Sequence, residues 1–174
     1  MNKQRMIMAL AALVTSTVVA HAAVYDYRPA ANPIYGGAGI SSNSVSGWGN
    51  STGFQIFGGY NFGTITDGPN PIGIAAEAGY MNTGTFQRTI YVPYPITESN
   101  RYQGPWTTGV VTVPVAPNIT LLGRLGVDLG DDSGLMAGIG AGLQINSQLQ
   151  ARFEYVSRSH VDSLQLNLVF YPGA

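Results

Sequence analysis

Near the C-terminus, Ser159, His160, Asp162 and Ser163 place hydroxyls, an imidazole and a carboxylate in one short run. Acyl-transfer enzymes combine these groups as nucleophile, base and orienting acid. The spacing argues against that use, because neighbours in an extended segment point to opposite sides whereas a triad must converge. A polar loop between two strands is the plainer expectation. Asp128, Asp131 and Asp132 gather carboxylates as a cation site would, but the run lacks the Asp-x-Asp-x-Asp-Gly spacing of a calcium loop, and a turn ending at Gly134 accounts for it. There is no cysteine, so thiolate chemistry and disulfide staples are excluded. No catalytic residue, metal or cofactor is expected.

The compartment follows from the first 22 residues. Lys3 and Arg5 form a basic start, Met6 to Val19 an apolar run, and Ala20-His21-Ala22 a small-residue cut site. The run is shorter than the roughly 20 apolar residues that a membrane-spanning helix needs. Export is therefore expected, with 1–22 a cleaved signal peptide and 23–174 one domain. Removing Lys3 and Arg5 leaves six basic and nine acidic residues, a net charge of −3 with no lysine, so nucleic acid is not an expected partner. Charged residues make up 10% of the chain against roughly 25% in soluble domains. Something other than water must face much of the surface.

After residue 22 the pattern has a period of two, bounded by Gly, Pro, Asn and Asp, and an all-β fold of about eight antiparallel strands is expected. Leu164, Leu166, Leu168 and Phe170 alternate with Gln165, Asn167 and Val169; Phe54, Ile56, Tyr60 and Phe62 form a second set, and Ile72 to Tyr80 a third. Further strands fit 107–115, 118–129, 134–145 and 148–157, and the first falls around 33–41. Ala116-Pro117 and Asn146-Ser147 are tight reversals, whereas 81–106 is long. The expected plan puts 42–52, 81–106, 130–133 and 158–161 on one rim and 64–71, 116–117 and 146–147 on the other.

The faces decide between a lipid-embedded and a soluble barrel. Glu77, Arg124, Asp128, Arg152 and Glu154 share the parity of Gly59, Gly73, Gly79, Gly126, Gly138, Gly140 and Gly142, opposite to the large apolar residues. Glycine weakens a strand and covers nothing, so this face suits a crowded narrow interior better than a solvent surface. Phe54, Ile56, Leu121, Leu125, Leu135, Ile139, Leu143, Phe153, Leu166 and Leu168 would then meet lipid. About 10 residues per strand at 45° tilt rise roughly 23 Å, near the apolar band of membrane barrels. Tyr60, Tyr80, Tyr155 and Phe170 are placed for aromatic girdles.

Four segments carry a resemblance: Gly53 to Phe62, Ala76 to Tyr80, Gly138 to Ile145 with the Asn146-Ser147 turn, and Ala151 to Tyr155. In order and spacing, over about residues 33–171, they resemble the eight-stranded outer-membrane barrels of the OmpA-like and opacity-protein type. The resemblance implies a Gram-negative outer membrane, surrounding lipid, and a lumen ion-pair network, here Glu77, Arg124, Asp128, Arg152 and Glu154, since charges in a narrow barrel must pair to offset desolvation. It also implies insertion by the outer-membrane assembly machinery, which reads an alternating last strand with a final aromatic, as Leu164, Leu166, Leu168 and Phe170 provide. The chain departs from that pattern by continuing through Tyr171-Pro172-Gly173-Ala174.

Within 81–106, Tyr91, Tyr94, Tyr102 and Trp106 stand among Pro93, Pro95 and Pro105. Rigid aromatics with little charge suit contact with a host surface or a neighbouring protein; equally, they suit a variable loop at headgroup level. The expected function is a non-enzymatic surface barrel contributing to envelope integrity or adhesion. A lipid-modifying outer-membrane enzyme is the second reading and a soluble periplasmic ligand-binding barrel the third.

Overall fold

In the computed structural model, residues 32–65, 71–92 and 94–173 are described, apart from the side chains of Tyr91 and Val92. The expected signal peptide and residues 66–70 of one turn lie outside the described residues. The strands are β1 (Ile34–Val45), β2 (Gly49–Thr64), β3 (Gly73–Asn82), β4 (Phe86–Val92), β5 (Tyr94–Asn100), β6 (Gln103–Ala116), β7 (Ile119–Asp128), β8 (Gly134–Gln144), β9 (Leu149–Ser157) and β10 (Val161–Phe170). Eight of them close into an antiparallel ring in the order β1-β10-β9-β8-β7-β6-β3-β2, and β4 and β5 pair with each other in a separate ribbon. The ring thus has a terminal rim, holding Ile34 and Phe170, and a loop rim, holding 46–48, 83–102, 129–133 and 158–160.

The register fixes the dimensions of the ring. From Ile40, pairing through Phe54 and Asn82 reaches Gln103 on β6; in the other direction, through Leu166, Phe153, Ala141 and Leu121, it reaches Val113. The two arrivals are ten residues apart on one strand, and that offset is the shear of the barrel. Eight strands with this shear tilt by about 40° and enclose a backbone radius of roughly 8 Å, which side chains can fill.

Alternation then sorts every strand. On β10, Ser163, Gln165, Asn167 and Val169 are buried, while Leu164, Leu166, Leu168 and Phe170 point outward. Phe54, Ile56, Leu121, Leu125, Leu135, Leu143 and Phe153 are likewise exposed, and the face that carries the charges and glycines lines the lumen, together with a buried apolar cluster that includes Phe57, Met81, Leu122 and Met136. Apolar outside and polar inside is the reverse of a soluble barrel, so the periplasmic ligand-binding reading fails. Tyr60, Phe62 and Phe170 sit outward towards the terminal rim, with Tyr80 outward nearer the loop rim.

Two expected boundaries are corrected. The first strand runs on to Val45 and the second begins at Gly49, so the loop placed at 42–52 shrinks to 46–48. Ser and Asn at 42–44 read as loop by composition, yet they continue the strand and Asn43 is a buried lumen residue; Asn43 Nδ2 donates to the Thr83 carbonyl at 2.9 Å. Gly47 and Gly49, at φ 83° and 81°, supply the positive-φ positions of the turn, which Trp48 N–H closes onto the Val45 carbonyl. The segment 81–106 is also no loop: β3 runs to Asn82, the β4–β5 hairpin rises from the rim, and β6 starts at Gln103.

Leu125 and Ile96 are similarly exposed, at 64% and 55%, but Leu125 lies mid-strand on the lipid-facing band and Ile96 on the ribbon. Leu125→Arg is expected to cost about 2–4 kcal/mol in a lipid-refolding urea titration. Ile96→Arg should leave the midpoint unchanged, and equal effects would reject this seating of the membrane.

Candidate functional site

Four of the five strand charges meet in the lumen. Glu77 on β3 receives Arg124 Nη2 at 3.0 Å on Oε2, and Arg152 Nη1 at 2.6 Å on Oε1. The Tyr35 hydroxyl donates to the same Oε1 at 2.7 Å. Arg124 also pairs with Glu154, which accepts Asn167 Nδ2 at 3.0 Å. Two carboxylates and two guanidiniums thus neutralise one another in a buried lumen, where an unpaired charge costs several kcal/mol. Arg152 is further held by Gln150 and Tyr171, its Nε donating to Gln150 Oε1 and its Nη2 to the Tyr171 hydroxyl, both at 2.7 Å. The Tyr171 and Tyr35 rings pack in a tilted arrangement with centroids 5.1 Å apart, so the residue after the last strand folds into the terminal mouth. Gln55 Nε2 donates to Gln165 and Asn167 at 2.8 Å and continues the network upward.

Asp128, expected in the same network, sits apart from the quartet. It lies at the loop-rim end of β7 and pairs with Arg158 at 3.1 Å. Arg158 Nη1 donates to Ser163 Oγ, and that hydroxyl donates to Asn43. Burial lowers the pKa of Arg158 to about 10, with Asp128 opposing the shift, so the guanidinium stays charged at neutral pH. Arg158 had been assigned to an outer loop, although extending the parity of Arg152 and Glu154 past Val156 would have marked it as inward. Tyr35, Gln55, Asn167 and Tyr171 were also missed: three are uncharged residues among many of their kind, and Tyr171 lies beyond the last alternating residue.

At the loop rim, Val45, Phe86 and Val161 form a buried cluster against which Trp48 and Tyr102 pack. This cluster seats the base of the β4–β5 hairpin over the lumen. Arg88 pairs with Glu98 at 2.9 Å and lies 4.9 Å over Trp48, while Tyr94 at the tip is 77% exposed. Trp106 is not a surface aromatic. It belongs to β6, is buried, and packs against Phe57 and the Arg124 guanidinium, because its parity is that of Thr108 and Val110. Tyr102 is half-buried rather than displayed, and the Tyr91 side chain lies outside the described residues.

His160 is exposed, and its Nδ1 lies 2.7 Å from Asp132 Oδ1, whose carboxylate also accepts the His160 and Val161 backbone N–H groups. The neighbouring Ser159 hydroxyl donates to the Ser133 carbonyl rather than forming a triad. Asp132 thereby ties the 129–133 and 158–160 connections together. Leu164, Leu166, Leu168 and Phe170 all lie outward on β10, beside the seam with β1.

Glu77→Ala leaves Arg152 and Arg124 short of a carboxylate in a buried setting, and is expected to cost about 3–5 kcal/mol. A urea titration of the folded barrel reads this as a lowered midpoint, with Glu77→Gln falling between wild type and Glu77→Ala. An unchanged midpoint in both variants would remove the quartet from the stability of the fold.

Comparison places this architecture among known barrels. A de novo designed transmembrane barrel, TMB2.3, superposes with a TM-score of 0.50 at 15% identity, covering 83% of this chain and 98% of that one. The Ail attachment invasion locus protein of Yersinia pestis, solved with the heparin analogue sucrose octasulfate, gives a TM-score of 0.45 at 16% identity over 79% and 95%. No curated protein matches the sequence. A family model for the outer membrane protein β-barrel domain matches residues 8–168. With its closed eight-stranded ring and outward apolar band, the chain belongs to that family of outer-membrane barrels, located in the outer membrane of Gram-negative bacteria.

Proposed function

We propose that this barrel is a non-enzymatic surface protein that makes contacts outside the cell through its β4–β5 hairpin, and that it supports envelope integrity through its lipid-seated scaffold. The observation that carries the reading is the ribbon itself. Its base is anchored by Phe86 in a buried cluster, while Tyr94 and Ile96 stand exposed at its far end. Aromatic and aliphatic side chains presented on a fixed backbone lose little entropy on contact, which is how binding hot spots arise. Among the described charges of this rim, Arg88, Arg101 and Asp131 are exposed and Glu98 and Asp162 part-buried, so no excess of positive charge is displayed, and Arg88 and Glu98 already pair. An uncharged or mixed-polarity partner therefore fits better than a polyanion.

The enzyme reading has less support. His160 has an orienting carboxylate, but the adjacent serine is engaged with a backbone carbonyl. Two further roles belong to the same proposal: surrounding lipid contacts the outward band, and the assembly machinery reads the outward row Leu164, Leu166, Leu168 and Phe170 on the last strand.

Bacteria displaying the barrel should adhere to a panel of immobilised glycans and matrix proteins, and the double variant Tyr94→Ser/Ile96→Ser should lose that adherence by about tenfold or more at equal surface level. His160→Ala should leave both adherence and lipid A acylation unchanged. Altered acylation with an intact barrel would promote the enzyme reading, and undiminished adherence of the double variant would remove the hairpin from function.

A further inference from the structure

Five buried side-chain atoms of the lumen have no hydrogen-bond partner among the described residues and lie outside the ion pairs: Trp106 Nε1, Thr108 Oγ1, Arg124 Nε, Gln55 Oε1 and Gln165 Nε2. All five residues are at most 5% exposed. Leaving such groups bare forfeits their hydration without return, so native interiors seldom do it. The five are not scattered. With the ten-residue shear of the ring, Gln55, Gln165, Trp106, Thr108 and Arg124 fall within about 7 Å of one another along the barrel axis, from the Arg124 level of the Glu77 quartet up towards the Asp128–Arg158 pair. Trp106 and Thr108 are inward neighbours on β6, and the Arg124 guanidinium carbon is 5.5 Å from the Trp106 ring.

We infer that this mid-lumen level is a binding site for internal water, anchored by Trp106, Thr108 and Arg124 and extending towards Gln55 and Gln165. The chemistry of the atoms selects the ligand. Trp106 Nε1, Arg124 Nε and Gln165 Nε2 can only donate, Gln55 Oε1 can only accept, and the Thr108 hydroxyl does either. A ligand for this set must accept and donate at once. An anion would satisfy the three N–H groups but not Gln55, and the quartet beside it is already charge-balanced, with two Glu and two Arg in mutual contact. Water is neutral, takes two to four hydrogen bonds and fits a polar interior of this kind. The site joins the lower and upper polar networks into one hydrated column inside the barrel.

The chain has two tryptophans, so the folded protein in lipid nanodiscs should give two indole N–H signals, assigned with Trp48→Phe. The Trp106 indole is expected to show a water cross-peak of opposite sign in NOESY and ROESY spectra, the mark of direct contact with a long-lived water. The peak should persist in Thr108→Val, where the Trp106 and Arg124 donors remain. Absence of the peak in wild type overturns the inference. Its disappearance in Thr108→Val also does so, by tracing the signal to relay through the threonine hydroxyl.

Discussion

The ladder between Ile34–Val45 and Val161–Phe170 is the interaction on which the rest of the molecule depends. It pairs the first ring strand with the last and removes the edges that hydrocarbon would leave unsatisfied, at several kcal/mol for each bare N–H or C=O. Closure at this register sets the shear at ten, and shear with strand number sets tilt and radius. A lumen of roughly 8 Å radius cannot hold bulk water beside large side chains, so most inward polar groups find their partners among their neighbours. That requirement explains why glycine lines so much of the interior: a Cβ at Gly138 would crowd Arg124 and Val156, and one at Gly79 would crowd Phe57 and Trp106.

Within those limits the lumen divides its charges into two neutral groups. Glu77, Glu154, Arg124 and Arg152 balance near the terminal half, and Asp128 balances Arg158 near the loop rim. The members come from β3, β7, β9 and the segment after β9, so a slip of any one strand would leave a carboxylate or guanidinium without its counterion. Buried ion pairs add little to stability against an apolar filling, but a misplaced one is costly, which favours a single register.

The loop rim is built by different physics. There an aqueous-side apolar cluster around Phe86 anchors a hairpin that shares no ladder with the ring. Ring and hairpin are thus held by separate interactions: lipid and lumen hold the barrel, while Tyr94 and Ile96 stand exposed on the ribbon. Asp132 stitches two other connections by accepting from the His160 and Val161 backbone, so the rim around the hairpin is also fixed.

Much of this was written in the chain. The alternation from Leu164 to Phe170, the scarcity of charge, and the common parity of Glu77, Arg124, Arg152 and Glu154 with glycine follow from the two-residue period of a strand, which is a local property. Local pattern fails where composition misleads or a partner is remote. Ser42 to Ser44 looks like loop because hydroxyls and amides are common in turns, yet the three continue β1, with Asn43 on the polar inner face. The hairpin was hidden by Pro93 and Pro95, and Trp106 by a strand start set a few residues late. The sequence by itself determined the class: an all-β chain whose polar face turns inward. Only the tertiary structure decided which inward groups meet, placing Glu77 against Arg152 from 75 residues away and Tyr35 from 42, and sending Asp128 to Arg158 instead. Those pairings depend on the shear at which the ring closes, a property of eight strands together that no single strand contains.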